Sequence, residues 1–392
     1  MTLAVETVRA SGVLVTRTED ARDLWRLEDA WRTLQQADPN ATVFSTWEWN
    51  SAVARHFARE ARLRVLLVES NGRPEALIPL VERRRQGLRT LVLLGTTRND
   101  YSRADYQDFL IAPGRVEDAL RACIEDLRRE PVWDLVWLQE LPAHSAVARE
   151  LPALARSRGW RVEVLPGSDV YRLPLPRSWD EYAAGLSVNT RSAIGRKTRK
   201  LQRDFEGRFE RVESGEDAGT AMETLFALHT QRWNNEGKSG IFRSEALRAF
   251  HRDLARGLSE AGMLDLTLLH AGDETIGARY AFRFKDTRYF YASGFDTSPR
   301  WAALSPGLLM DAESIRDGID CGLATEDLLR GEGDYKQRYA PIRGENVELR
   351  IYRTAAAYQY ARALRAMRKV ARRVPGIRAA RRALTGVTTR HR

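Results

Sequence analysis

Apolar and polar residues follow a pattern that occurs twice along the chain. In the first half, the apolar segments RLRVLLVES, RPEALIPLVERR and LRTLVLLG are separated by Asn71-Gly72 and a second short turn. In the second half, MLDLTLLHA, ETIGARYAFRFK and TRYFYASGF are separated by Gly272-Asp273 and another short turn. Asn-Gly and Gly-Asp between β-rich segments are typical of hairpins. Each half is therefore predicted to contain an antiparallel meander of three strands.

A helix and a further strand are predicted after each meander. Leu120, Ile124 and Leu127 recur at helical spacing in APGRVEDALRACIEDL, and SPGLLMDAESIRDGI shows the same spacing. The short strands WDLVWLQEL and TEDLLRG follow these helices. The repetition predicts two copies of one α/β unit, and the alternative is chance similarity between common motifs.

The two copies are predicted to meet in PGSDVYRLPLP, at residues 166–176. Three prolines and a glycine there argue against a long uninterrupted element. The predicted units are therefore residues 1–170 and 171–354. Two helices open the second unit, the second of them with Ser187 or Asn189 as its N-cap. Residues 355–392 form a separate tail, predicted to be helical from Ala355 to Val374.

Positive charge is concentrated in this tail. The 392 residues carry a formal net charge of +10, but no acidic residue follows Glu348. From Arg350 onward there are 13 basic residues, which leaves 50 for the rest of the chain against 53 acids. The tail also carries one apolar stripe, formed by Tyr360, Leu364, Met367, Val370 and Val374. A basic amphipathic helix favours an anionic membrane face, and docking against the body is the alternative.

Composition limits the class of protein further. With 43% apolar residues and ten tryptophans the chain is globular, not disordered. Cys123 and Cys321 match no metal spacing, and a reducing cytoplasm is expected. The N-terminal residues lack a signal-peptide pattern, and no apolar run reaches the ~18 residues of a membrane span. HExxH, GxSxG and Walker A motifs are absent from the sequence, so a zinc hydrolase, an α/β-hydrolase and a P-loop enzyme are not expected.

The sequence ALSPGLLMDAESI contains a candidate anion site. Ser305 can cap the helix, and proline suits the first helical turn because it lacks an N–H group. Gly307 would let another group approach the backbone closely. The N–H groups at the helix start, with Arg300 upstream, suit an anion such as a pyrophosphate. The alternative is an ordinary helix start.

A second candidate is the loop LLRGEGDYKQRYAP, directly after the last predicted strand. Glu332 or Asp334 could accept a proton from an amine nucleophile, and Tyr335 could donate one to a leaving group. Lys336 could stabilise developing negative charge. The alternative is a solvated turn.

Two further segments have open interpretations. Arg232 and Trp233 end a helix before a Gly-rich loop, which either faces a substrate or simply packs the tryptophan. The helix that opens the second half could bind phosphates, face a membrane or be a solvated surface; its basic residues are Arg191, Arg196, Lys197, Arg199 and Lys200.

The order of these segments carries a family resemblance. From Ala41 to Tyr352 the sequence contains VFSTWEWNSAVARHF, GRPEALIPL, LGTTRNDYSRADYQDFLI, LHTQRWNNEG, SPG and LLRGEGDYKQRYAP. This order resembles the GNAT-like acyltransferases of the cellulose-biosynthesis (CelD/BcsL-like) group, which are related in fold to the FemABX peptidyltransferases. The resemblance implies two tandem GNAT units, an α/β fold with mixed sheets, and acyl-CoA as donor, with acetyl-CoA the expected one and no metal.

The resemblance also implies roles for individual residues. The donor pyrophosphate would lie at Ser305, Gly307 and Leu308, with Arg300 adding charge. Tyr335-Lys336, with an aromatic residue three positions later, fits the Fem pattern in which the lysine stabilises the reacting acyl group. The expected substrate-binding residues are Arg232, Trp233, Tyr339, Asp100 and Tyr101.

The first copy is not expected to bind donor. Its loop from Thr96 to Ala112 contains Asp100, Asp105 and Asp108, and these acids would repel a pyrophosphate. The loop would shape the acceptor groove instead.

The predicted function is an N-acyltransferase that moves an acyl group from acyl-CoA to an amine of a sugar, an amino acid or a cell-envelope or polysaccharide precursor. One alternative is an aminoacyl-tRNA-dependent, Fem-like peptidyltransferase, although the chain lacks the coiled-coil insertion of some Fem proteins. Another is a catalytically degenerate GNAT scaffold in a polysaccharide export system. The protein is expected in the cytoplasm, at the inner membrane face through its tail, with no specific nucleic-acid partner.

Overall fold

A computed structural model describes residues 6–10, 13–96, 104–212, 215–331, 333–339 and 341–373. In this part of the chain, fourteen strands form one mixed sheet. Their bounds are β1 Glu6–Ala10, β2 Val13–Thr18, β3 Leu63–Ser70, β4 Arg73–Arg85, β5 Leu88–Leu93, β6 Leu110–Ile111, β7 Leu135–Pro142, β8 Arg161–Pro174, β9 Arg208–Arg211, β10 Leu264–Ala271, β11 Glu274–Phe284, β12 Thr287–Phe295, β13 Thr325–Arg330 and β14 Ile342–Tyr352. The order in the sheet is β1-β2-β3-β4-β5-β7-β14-β8-β13-β12-β11-β10-β9, with β6 paired to β4. The predicted α/β fold with a mixed sheet is confirmed.

Helices cover both faces of this sheet. Their bounds are α1 Glu28–Ala37, α2 Trp47–Phe57, α3 Val116–Arg129, α4 Ala146–Ser157, α5 Trp179–Gly185, α6 Val188–Phe205, α7 Gly215–Asn235, α8 Glu245–Glu260, α9 Pro299–Ala302, α10 Pro306–Asp320, α11 Asp334–Gln337 and α12 Ala355–Arg373, with 3₁₀ turns at Ala21–Leu27 and Val43–Ser45. Ser187 is the N-cap of α6, and its hydroxyl accepts a hydrogen bond from the Thr190 N–H at 3.2 Å. The predicted tail helix is confirmed as far as Arg373, and Val374 lies outside the described residues.

The internal repeat predicted from the sequence is present in the structure. Strands β3, β4 and β5 form one antiparallel meander, and β10, β11 and β12 form the other. Helix α3 then leads to β7, which lies parallel to β5, and α10 leads to β13, which lies parallel to β12. A helical crossover is the usual way to bring a following strand into a parallel position. Each half therefore ends its meander in one parallel strand pair.

The expectation that residues 166–176 interrupt the chain was wrong. Strand β8 runs without a break from Arg161 to Pro174 and crosses the expected boundary at residue 170. Pro166 is tolerated because it lies opposite Val347 next to a register shift in β14, where a ladder hydrogen bond is not needed. A Cβ on Gly167 would lie only 2.8 Å from the Asn346 carbonyl oxygen, so the close approach there requires glycine.

The two halves exchange their last strands. By its place in the repeat β8 is the last strand of the first half, yet its residues 170–174 pair with β13 of the second half. In the same way β14 is the last strand of the second half and pairs with β7 of the first. Strands β8 and β14 also pair with each other, from Arg161 opposite Tyr352 to Arg172 opposite Ile342. The sheet is thus continuous across the two units.

One apolar core is shared by the two halves on one side of the sheet. Trp49 of α2 contacts Phe250 of α8 and Phe282 of β11 edge to face, with ring centroids 5.8 and 6.1 Å apart. Phe44 contacts Phe282 in the same way. Burying such large rings provides much of the free energy that holds two domains together. On the opposite side, α3 and α4 cover the first half and α5, α6 and α10 cover the second.

His251 is buried in this core and is expected to make the protein sensitive to acid. Its side chain packs against the rings of Phe242, Phe250, Tyr280 and Tyr291, and neither ring nitrogen has a hydrogen-bond partner among the described residues. Burial lowers the pKa of His251 from 6.5 to about 3, because the charged form is desolvated. The unfolded chain therefore binds one more proton between these values, and stability falls as the pH decreases through that window.

Replacing His251 with phenylalanine tests this expectation. Urea unfolding at pH 7.5 and pH 4.5 should show that the wild type loses about 2–3 kcal/mol more than His251→Phe across this interval, since each pH unit below the unfolded pKa costs ~1.4 kcal/mol. Equal losses in the two proteins would show that His251 does not cause acid sensitivity.

Candidate active site

The parallel pair β12 and β13 separates into a cleft. The two strands pair only from Thr287 to Tyr289 and from Thr325 to Asp327. Beyond these residues β12 continues to Phe295 and β13 to Arg330, and a cavity of about 530 Å³ lies between them. The cavity is completed by the N-terminus of α10, the end of α7 and the loop after β13.

A bend at the end of β13 forms one wall of this cavity. Leu329 has a positive φ of 58°, which is uncommon for a residue other than glycine or asparagine. The Leu329 N–H donates to the Asp327 carboxylate at 2.7 Å, and the Lys336 Nζ donates to the carbonyl oxygens of Leu329 and Arg330 at 3.0 and 2.9 Å. Lys336 is only 3% exposed, so this residue is not part of a solvated turn. It stabilises the bend and brings positive charge to the cavity wall.

The other candidate residues of this loop differ in their burial and contacts. Tyr335 is half-buried and lines the cavity. Tyr339 also lines it and is buried, with its hydroxyl donating to Asp311 Oδ2 at 3.0 Å; burial and that carboxylate raise the pKa of Tyr339. Asp334 begins the short helix α11, but its side chain is not described, and Glu332 lies outside the described residues.

The start of α10 lies at the cavity. Ser305, Pro306, Gly307 and Leu308 all line it. Ser305 occupies the N-cap position but makes no capping hydrogen bond, contrary to expectation. The reason is its left-handed backbone, with φ of 52°, from which the hydroxyl donates back to the Ala302 carbonyl at 3.5 Å. A Cβ on Gly307 would lie 2.9 Å from the Phe295 ring, so glycine keeps this end of the cavity open.

The basic residues at the cavity are not all those expected. Arg300 does not line it; its guanidinium pairs with Glu274 at 2.5 Å and lies over the Trp301 ring. Arg232 lines the cavity together with Trp233, and its guanidinium lies 4.3 Å from the centroid of the Phe295 ring. Arg338 is a further lining residue and is exposed. Arg232 and Arg338 therefore supply the positive charge that the sequence assigned to Arg300.

An acid from the first half also reaches the cavity. Asp100 and Tyr101 lie outside the described residues, but Asp105 of the same loop lines the cavity of the second half. The backbone N–H of Arg330 donates to Asp105 Oδ2 at 3.0 Å. The next residue, Tyr106, donates its hydroxyl to both oxygens of Asp327, at 2.9 and 2.8 Å. These contacts fix the first-half loop on the end of β13.

Asp105 is an unusual carboxylic acid. Its Oδ1 lies 2.9 Å from the Nε of Arg330 in an ion pair but accepts no hydrogen bond within the described residues. Burial raises the pKa of Asp105 to about 7, because desolvation outweighs the attraction of Arg330, and nearby Glu140 and Asp327 add repulsion. A carboxyl group with this pKa can exchange a proton near neutral pH.

The sequence analysis did not select Asp105, Asp311 or His229 for the site. Both Asp311 and His229 line the cavity; His229 is buried and Asp311 is half-buried. Asp311 could have been identified from the sequence. It falls between Leu308 and Ile315 on the apolar face of its helix, where an acid needs a partner. For Asp105 the acidic loop was noticed, but nothing local in the sequence shows that it packs against the other half.

Metal-binding clusters and membrane-spanning helices are both absent from the described residues. These residues contain no group of three or more histidine, cysteine, aspartate or glutamate side chains that could hold a metal ion. None of the helices within these residues combines the length and apolar character needed to cross a bilayer.

Comparisons with known proteins agree with this architecture. Residues 188–337 match the acetyltransferase (GNAT) domain family. The structure is similar to that of FemX, with a TM-score of 0.63 and 10% identity over 85% of this chain and 98% of FemX. It is also similar to a conserved protein of unknown function from Bacteroides thetaiotaomicron, with a TM-score of 0.52 and 11% identity over 86% of this chain and 99% of that one.

A third solved structure is similar over a comparable length. It is the C-terminal domain of a putative lysylphosphatidylglycerol synthetase from Agrobacterium fabrum, with a TM-score of 0.51 and 11% identity over 87% of this chain and 95% of that one. No curated protein sequence matches the chain. At such identities the likeness shows the fold alone, and placement in the CelD/BcsL-like group stays a prediction. The repeat, the matching domain and the similarity to FemX together show that this chain has the GNAT-like acyltransferase fold, in a tandem, Fem-like arrangement.

Proposed function

We propose that the protein is an N-acyltransferase that uses acyl-CoA and works in the cavity between β12 and β13. One observation carries this proposal: a cleft between parallel strands opens onto a helix N-terminus, with a buried lysine and a buried acid on its wall. The acceptor is an amine of a sugar, an amino acid or a cell-envelope precursor.

The cleft suits the donor in shape and in charge. The ladder between β12 and β13 stops at Tyr289, so an edge of β12 faces the cavity, and an extended arm containing amides can add to a strand edge. The pantetheine arm of CoA is such a chain. The N-terminus of α10 attracts negative charge, which suits the pyrophosphate, and Arg232 and Arg338 add positive charge at the same cavity.

The chemistry follows from Asp105, Lys336 and Tyr335. The acceptor nitrogen attacks the thioester carbonyl, a C–N bond forms, and the C–S bond breaks. Asp105 takes the proton that the nitrogen loses, and Tyr335 donates a proton to the departing thiolate. The positive charge of Lys336 stabilises the oxyanion that forms between these events. Asp105 replaces Glu332 and Asp334 as the proposed base, because its carboxyl group lines the cavity.

The first copy is proposed to lack a donor site, but not through the charge of Asp105, which lines the cavity of the second half. The equivalent strand end, Leu91–Leu94, is buried. The indole N–H of Trp49 donates to the Gly95 carbonyl at 3.3 Å, and the side chain of Gln107 packs directly on Gly95. Side chains of the same half thus occupy the space beyond the strand.

Titration calorimetry with acetyl-CoA tests the proposal. We expect binding in the micromolar range and an increase in melting temperature, since a ligand that binds only the folded state stabilises it. Absence of both heat and a thermal shift would overturn acyl-CoA as the donor. Stabilisation by aminoacyl-tRNA in the same assay would then support the Fem-like alternative.

Gly307→Val is expected to weaken acetyl-CoA binding at least tenfold, about 1.4 kcal/mol. The added side chain would enter the space held by the Phe295 ring at the mouth of the cavity. Gly257→Val is the matched control, because a Cβ at Gly257 meets no atom within 4 Å. Equal affinity of the two variants would contradict donor binding at the start of α10.

A further inference from the structure

Helix α12 is attached to the body through one face. Ala357 is buried, and the ring of Tyr358 contacts that of Tyr352 edge to face, with centroids 5.3 Å apart. Arg365 pairs with both oxygens of Glu163, at 2.7 and 2.8 Å. These contacts fix the orientation of the helix, so its outward face is defined.

The outward face carries exposed apolar residues beside the exposed Gln359, whereas the outer face of an ordinary surface helix is mostly polar. Met367 is 58% exposed and Tyr360 47% exposed, although the Tyr360 hydroxyl donates to the Gln86 carbonyl at 3.1 Å. Ala363 and Ala366 are also exposed and lie near Met367 by helical spacing. Of the described members of the apolar stripe noticed in the sequence, Tyr360 contacts the body through its hydroxyl and Leu364 is half-buried, whereas Met367 stays exposed.

The surroundings of this face are basic. Arg362 and Arg368 are exposed on its two sides. The contact of Tyr360 with Gln86 places the helix beside the turn between β4 and β5, where Arg84 and Arg89 are exposed. Glu163, the acid that faces the helix, is paired with Arg365. No acid follows Glu348 in the sequence.

We infer that this outward face of α12, with the β4–β5 turn beside it, binds the surface of an anionic lipid bilayer. Exposed methionine and tyrosine between arginines match a layer of anionic headgroups over acyl chains. A second copy of the chain fits less well, because pairing the same face would bring arginines together. Nucleic acid would use the arginines but would leave the apolar face in water. The inference does not depend on the proposed acyltransferase activity.

Vesicle flotation of the full chain tests the inference. Vesicles of phosphatidylcholine with 30% phosphatidylglycerol should carry the protein, and vesicles of phosphatidylcholine alone should not. Met367→Glu should reduce the bound fraction at least fivefold, because a charge then enters the apolar face. Leu154→Glu is the matched control, since Leu154 is a partly exposed apolar residue of another helix. It should bind as the wild type does.

Three results would overturn the inference. The first is equal flotation of Met367→Glu and the wild type. The second is a dimer in sizing chromatography that Met367→Glu dissociates, without any flotation of the wild type. The third is retention on tRNA, unchanged by Met367→Glu, in a protein that does not float. Circular dichroism of each variant identifies a loss of fold.

Discussion

Asp105→Asn is expected to lower kcat/KM for the acceptor by ~10²–10⁴, the usual contribution of a general base. In the wild type, kcat/KM should rise with pH and reach a plateau above about pH 7, the pKa to which burial raises Asp105. Below that pH the carboxyl is protonated and cannot accept a proton. The variant should lack this pH-dependent limb, and steady-state rates from pH 5.5 to pH 9 measure it.

Asp108→Asn is the matched control for this prediction. Asp108 belongs to the same loop, is half-buried and has its pKa raised to about 7 by desolvation, but it does not line the cavity. For both acids the raised pKa means that the folded state binds more protons, so both lose stability as the pH increases from ~4 to about 7. Both asparagine variants should therefore be more stable than the wild type at pH 8. Only Asp105→Asn should change the pH profile of the rate, and a normal profile in that variant would refute the assigned role.

Lys336→Met is expected to lower kcat by ~10²–10³, the range measured when one stabilising group of an oxyanion is removed. Methionine keeps most of the volume but leaves the carbonyl oxygens of Leu329 and Arg330 without their buried partner. Each such loss costs ~1–3 kcal/mol of stability. Affinity for acetyl-CoA should change less than turnover. Single-turnover rates and calorimetry on the same samples separate these effects.

Lys285→Met controls for the loss of a lysine that donates to a backbone carbonyl, although Lys285 is exposed whereas Lys336 is buried. The Lys285 ammonium donates to the Asp38 carbonyl, outside the cavity lining. That variant should lose stability but retain kcat. Lys336→Arg should restore part of the activity, because it returns a positive charge to the same wall. Full turnover by Lys336→Met would exclude a catalytic effect of this residue.

The repeat could be predicted from the sequence because its signals are local. Hairpin turns such as Asn71-Gly72, apolar periodicity and the helix start at Pro306 each depend on a few neighbouring residues. The cavity wall was predictable for the same reason, since Lys336 lies just after a strand. What could not be predicted depends on packing between distant residues. Asp105 and Arg330 are 225 positions apart, and only the folded sheet brings them together.

The prolines between residues 166 and 176 show a second limit of prediction from the sequence. Proline and glycine between residues 166 and 176 normally mark a loop, and the sequence contains no sign that β14 supplies a bulge opposite Pro166. The position of Arg300 shows a third limit, which is that closeness in the sequence does not decide which charges pair. Its distance from Ser305 in the sequence suggested a shared site, but Glu274 on a neighbouring strand provides a nearer opposite charge.

The exchange of β8 and β14 has a consequence for synthesis on the ribosome. Strand β7 gains its neighbour β14 only after some two hundred further residues have been translated, because Leu135 pairs with Tyr352. At ~5–20 residues per second, the sheet of the N-terminal half stays open at that edge for ~10–40 seconds. A polypeptide chain that ends before Ile342 lacks β14 and would leave the edge of β7 exposed permanently. Incomplete chains are thus expected to be recognised by chaperones, because the open edge of β7 presents unpaired backbone groups.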